Sequence, residues 1–240
     1  MPWRGSCRCL LRNSIGTVAG TNVRPLIRPN METSMPDEQT PTPHLEKLFR
    51  EVAEDEFWAI RGKTINGYAD LEQSLCQLFA FLGGIEPVVA GIIFFRITSH
   101  QRNFILDRLF KKKFGDQYSL FRNSLTAQLK PIDIARNEIV HWNTEVQIRS
   151  ATGFEVVLRP PNFWDMNENT PQKTKPDLID FIEKCSFYSR LCNMFYMTMD
   201  TSLPMPEADK KRWLEIFAQR ITYPPPPTHP LIAETGNAPS

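Results

Sequence analysis

The segment Arg136-Asn137-Glu138-Ile139-Val140-His141 places a guanidinium, an amide and an imidazole within six residues. Those are the groups that cleave RNA without a metal. An imidazole moves protons, and a guanidinium holds the charge that grows on a phosphate in the transition state. The other histidines offer less: His44 and His229 fall in linker-like surroundings, and His100 sits at a helix start, where a surface position is the simpler reading.

On an ideal helix Asn137 and His141 are one turn apart and share a face. Arg136 lies about 140° around the axis from His141, so only its long side chain can reach the same phosphate. Imidazoles ordinarily titrate close to neutral pH, which suits general acid–base work. The chemistry that fits is attack of an RNA 2′-hydroxyl on the adjacent phosphate. His141 would transfer protons, Arg136 would bind the phosphorane charge, and Asn137 would orient one or the other. The products would be a 2′,3′-cyclic phosphate and a 5′-hydroxyl, and DNA, lacking the nucleophile, would survive.

Other residues can support such a site. Glu72 falls about 60° from the centre of an apolar helical stripe, between Tyr68 and Phe79, where it could pair with Arg136 from a facing helix. Arg102, Arg108, Lys111, Lys112 and Lys113 form a basic run that could track an RNA backbone. More usually such a run is a solvated helix end whose cations complement the dipole. Glu138 and His141 make half of a di-iron helix signature, but no other His has a Glu three residues before it. No metal and no cofactor are expected.

The elements that must position these groups are mostly helical. Apolar residues at three-to-four spacing (Ile65, Tyr68, Leu71, Leu75, Leu78, Phe79, Leu82) predict a long helix over 46–82, with Gly62 and Gly67 as points of interruption and Gly83-Gly84 as its stop. Ser99 is the expected N-cap of a second helix running to Lys113, with Phe104, Leu106, Leu109 and Phe110 inward and Gly115 closing it. A third runs over 117–141, where Pro131 should kink or restart it. The period then changes to two over 145–149 and 154–158, a β-hairpin. Residues 177–199 and 207–220 return to helical spacing. The expected fold is mainly α: a four-to-five-helix bundle with one β-hairpin between the motif helix and the next long helix.

That order of helices, ending in Asp133-Ile134-Ala135-Arg136-Asn137-Glu138-Ile139-Val140-His141-Trp142, resembles the HEPN domain (higher eukaryotes and prokaryotes nucleotide-binding) over residues 57–199. The family motif is an Arg, a polar residue next, then a His after four to six positions. Arg136, Asn137 and His141 match it. The resemblance implies a metal-independent endoribonuclease, a toxin or defence effector, working as a homodimer that brings two motifs to one cleft. It also implies an antitoxin or nucleotidyltransferase partner. The alternative is a non-catalytic HEPN-fold module for nucleotide binding or dimerisation.

Composition sets the bounds. With 41% hydrophobic and 23% charged residues, 240 residues suffice for one ordinary domain with extra ends. Sixteen phenylalanines fall between Phe49 and Phe217. The net charge of +1 means an RNA surface must be a local patch. Residues 1–43 are expected to form a disordered basic and Pro-rich segment, with five Arg and no acid before residue 31. A transit peptide, or a start at Met31 or Met35, accounts for it as well. Residues 44–222 then form the domain, and residues 223–240 a Pro-rich disordered tail. The apolar run 88–95 is too short to span a membrane. Five cysteines without CxxC spacing, Cys185 and Cys192 among them on one helical face, fit buried thiols in a reducing cytoplasm.

Overall fold

Helical periodicity becomes helix throughout the computed structural model, which describes residues 43–148, 153–161 and 171–233. These all fall in the unit Thr40–Ser240. The expected disordered segment, 1–43, lies outside the described residues except for Pro43, which opens the first helix.

That helix, α1 (Pro43–Gly83), passes through Gly62 and Gly67 without a break. Gly67 faces the later helix α5 (Lys175–Met199), where a Cβ would meet Ile182 at 3.9 Å. Tyr68, Leu71, Leu75, Leu78, Phe79 and Leu82 are buried as the spacing predicts, whereas Ile65 is exposed. The helix ends at Gly83, and Gly84 takes φ +60°, a left-handed conformation that glycine adopts without a Cβ penalty.

The run 87–94 forms its own helix, α2 (Pro87–Phe94), which periodicity could not reveal because every position but Gly91 is apolar. Pro87 supplies the first turn, and the Glu86 carboxylate accepts from the Val89 amide at 3.0 Å. The cap of α3 (Ser99–Phe114) is Thr98 rather than Ser99. Thr98 and Gln101 form a reciprocal capping box, which requires a Gln or Glu three residues past the cap. Leu106 and Phe110 point inward, but Phe104 is 56% exposed.

Helix α4 (Ser119–His141) carries Pro131 in its interior without ending there. Proline removes one intrahelical bond. Buried Leu129 and Ile132, on either side of it, hold the helix in the core. Strands β1 (Asn143–Ile148) and β2 (Phe154–Arg159) pair antiparallel, with Val146 opposite Val156. Val156, Val157 and Leu158 are buried in succession, so both faces of β2 are covered. Leu158 also exchanges backbone bonds with Lys173. Helices α5, α6 (Glu207–Phe217) and the short α7 (Pro230–Ala233) complete a mainly helical structure of bundle type.

α1 and α5 form the most extensive helix pair. Between them the Ser74 and Ser189 hydroxyls meet at 2.7 Å in a buried polar contact. The abundant phenylalanines gather around Phe195 of α5. Phe121 stacks on it at 5.0 Å, and Phe110, Phe114, Tyr118 and Phe217 surround it.

The expected tail must be corrected. After α6 the chain returns to the bundle, burying Ile221, His229 and Leu231, while Tyr223 rests against Phe187 and Tyr188. Apolar anchors placed between the prolines hold a segment that has no helical period of its own. Residues 234–240 lie outside the described residues.

Candidate active site

Arg136, Asn137 and His141 all lie in the last two turns of α4. Asn137 and His141 are exposed and Arg136 is half-buried. The Arg136 Nη1 donates to the Asn137 Oδ1 at 3.1 Å, which ties the amide to the guanidinium. The guanidinium carbon stands 5.4 Å from the centroid of the Tyr68 ring on α1, within cation–π range. Its Nε is buried without a hydrogen-bond partner.

Tyr68 belongs to a polar junction among α1, α3 and α4. Its hydroxyl donates to Asp133 Oδ1 at 2.8 Å, and Asn103 Nδ2 donates to Asp133 Oδ2 at 3.0 Å. Burial drives the Tyr68 pKa far above the ordinary phenol value, and the negative charges of Asp133 and Glu72 push the same way. Tyr68 therefore stays a neutral donor, with its ring face open to the Arg136 cation. Asp133 lies one turn before Asn137 on the same helix. Spacing along the chain does not reveal this role of Asp133, because its partners come from other helices.

Glu72 does not pair with Arg136. Its carboxylate holds Arg102 of α3 in an ion pair, and Arg102 also covers the Phe94 ring at 4.8 Å. The reason is steric order along α1. Tyr68 occupies the place beside Arg136, and Glu72, one turn further, meets α3 instead. Arg102 is thereby drawn inward, with its side chain only 13% exposed, and is not free to track a phosphate backbone.

The remaining basic residues divide. Lys113 Nζ donates to the Phe81 carbonyl at 2.7 Å, near the C-terminal end of α1. Arg108 lies over the Phe104 ring at 4.9 Å. Lys111 and Lys112 are exposed in the last turn of α3, where cations complement the helix dipole.

His141 forms the end of α4, and the backbone around it is held by a residue the sequence did not flag. Arg61 of α1 donates from Nε to the Ile139 carbonyl at 2.9 Å and from Nη2 to the Val140 and Trp142 carbonyls at 3.0 and 3.1 Å. Its Nη1 reaches the Thr144 hydroxyl at 3.3 Å, and its guanidinium lies 4.9 Å from the Trp58 ring centroid. Burial lowers its pKa, but a guanidinium remains charged in proteins. Three helix-end carbonyls with no intrahelical partner are thus capped by one cation. On another side, Glu138 pairs with Lys173 at 2.8 Å, and Lys173 lies 5.6 Å from the Trp142 ring centroid.

A cleft of about 160 Å³ runs between α4 and α5, lined by Pro131, Ala135, Ile139, Lys173, Asp180 and Lys184 among others, and not by Arg136 or His141. Exposed Asn137 and His141 put the motif at the surface, with Arg136 set half-buried behind them. No group of three His, Cys, Asp or Glu side chains comes together as metal ligands among the described residues. No single described helix is long and apolar enough to cross a membrane.

In comparisons with known proteins, no family model matches the chain, and neither a curated protein nor a solved structure matches it.

Proposed function

We propose that this chain is a metal-independent endoribonuclease of the HEPN type, acting on RNA through Arg136, Asn137 and His141. The observation that carries the reading is the arrangement at the end of α4. An exposed imidazole and a half-buried guanidinium share one pinned helix end, with Asn137 bonded to the guanidinium. His141 transfers the proton of the attacking 2′-hydroxyl, and Arg136 neutralises charge on the phosphate. A homodimer would place two such helix ends beside one RNA. A toxin or defence role, with an antitoxin or nucleotidyltransferase partner, follows from the same family reading.

The test is cleavage of structured or transfer RNA by the purified chain in excess chelator. The expected products carry 2′,3′-cyclic phosphate ends, and the matching DNA is left intact. His141→Ala should abolish cleavage with the circular dichroism spectrum and melting curve unchanged. Cleavage that persists in this variant removes His141 from the mechanism.

A second reading, a non-catalytic dimerisation or interaction module, has its own support. Val88, Ile92 and Phe95 of α2 and its C-cap are exposed, as are Leu45, Leu48, Phe49 and Val52 at the start of α1. Exposed apolar stripes of this kind mark contact surfaces. That reading is favoured if no RNA is cut at any protein concentration.

A further inference from the structure

The far end of the bundle holds a second cluster of polar chemistry that shares no residue with the Arg136–His141 site. Between α6 and the returning segment 221–230 lies a cavity of about 280 Å³. Arg212 and Arg220 line it, and neither forms an ion pair or hydrogen bond among the described residues, although Glu215 lines the same cavity. Two arginines against one glutamate leave a net positive charge on the wall.

His229, which also lines the cavity, is only 8% exposed. Its Nδ1 accepts the Leu231 amide at 3.3 Å, so the neutral ring carries its proton on Nε2. That Nε2 is buried and has no partner among the described residues. Buried polar groups are nearly always satisfied, and one left over beside a cavity needs an explanation. Burial first, then the charges of Arg212 and Arg190, lower the His229 pKa. The ring therefore stays a neutral donor in a positive field.

An oxyanion entering the cavity would meet the two guanidiniums, and a small turn of the buried His229 ring would bring its Nε2–H to the same oxygens. Two guanidiniums offer planar forks suited to phosphate oxygens, and an imidazole N–H completes the donor set. The cavity holds on the order of nine water volumes, which is more than a bare phosphate fills. Ile216 and Ile221 provide an apolar wall for the excess. We infer that this cavity binds a small phosphomonoester, its phosphate held by Arg212, Arg220 and the His229 Nε2–H and its apolar body against Ile216 and Ile221.

The probe is phenyl phosphate, titrated into the full chain by calorimetry, with orthophosphate and phenol as the two halves of the ligand. Phenyl phosphate should bind more tightly than orthophosphate, and phenol should not bind. Arg212→Gln and Arg220→Gln, both at exposed positions, should each weaken binding about tenfold or more. His229→Phe keeps an aromatic ring against Phe187 and Trp213 and should also weaken binding. If His229→Phe melts early, the two arginine variants decide the matter alone. Absence of phenyl phosphate binding, binding no tighter than that of phenol, or binding unchanged in both arginine variants overturns the proposal.

Discussion

Arg61 is the strongest single lever on the end of α4. Replacing it with Met keeps the aliphatic stem and removes only the guanidinium. Three carbonyl bonds between 2.9 and 3.1 Å are then lost, together with the contact to the Thr144 hydroxyl. A hydrogen bond to a charged group is worth about 1.5–3 kcal/mol. Arg61 is only half-buried, and water can rehydrate helix-end carbonyls once the cation has gone. A discounted value of about 1 kcal/mol per carbonyl bond is therefore appropriate. The Trp58 contact adds about 0.5–1 kcal/mol, giving a total loss of about 3.5–4 kcal/mol. For a domain of this size that lowers Tm by about 7–16 °C. Arg61→Lys should recover less than half, since an ammonium cannot fork across acceptors from Ile139 to Trp142. Urea unfolding of the wild type and both variants, followed by circular dichroism, measures these losses. A loss below about 1 kcal/mol for Arg61→Met, or full recovery by Lys, would refute the claim that this guanidinium pins the helix end.

Tyr68 separates ring from hydroxyl. Tyr68→Phe leaves Asp133 short of one donor and should cost about 1–2 kcal/mol, while the face under Arg136, and with it the RNA cleavage we propose for this chain, should be retained. Tyr68→Leu removes both and should reduce cleavage further than the stability loss explains, as measured at temperatures well below the melting of either variant. Alkaline pH should destabilise the fold. Burial raises the Cys185 and Cys192 thiols from 9.0 to about 12, and the Tyr188 hydroxyl from 10.0 to about 12. Above pH about 9 the unfolded chain loses protons that the folded chain keeps, so stability falls as pH rises from about 9 to about 12. Urea midpoints measured across that range test the sign, and a rising midpoint would contradict it. The same burial predicts that Cys76, Cys185 and Cys192 resist alkylation until denaturant is added.

Much of the architecture was legible because its signals are local. A three-to-four period marks α1, α3, α4, α5 and α6 wherever one face is buried and the other wet, and alternation marks the hairpin. Where the signal fails, the reason is equally local. An almost wholly apolar stretch has no period, so α2 read only as a hydrophobic run. Thr98 and Ser99 are both good caps, and only Gln101 at the right spacing selects Thr98. Phe104 fits the inward spacing of α3 yet stays outside under Arg108. The Pro-rich segment after α6 looks disordered by composition, but Ile221, Tyr223 and Leu231 recur often enough to fasten it to the bundle.

The candidate site was legible only in part, because its chemistry is local and its support is not. Arg136, Asn137 and His141 are neighbours in sequence, so type and spacing sufficed to nominate them. Their supports come from distant positions: Tyr68 lies 65 residues before Asp133, and Arg61 lies 78 residues before Ile139. Periodicity says which face of α1 is buried, but not which helix that face will meet. Glu72 shows the cost, since a carboxylate at the right edge of the stripe chose Arg102 over Arg136. The three anchors of α4 nevertheless share a logic. Tyr68 and Asn103 fix it at Asp133, Lys173 at Glu138, and Arg61 at its last carbonyls. Arg136 and His141 lie between those points on backbone held from three sides, while the His141 imidazole carries no hydrogen bond among the described residues. A fixed helix end bearing an unencumbered imidazole is what proton transfer at an exposed phosphate requires.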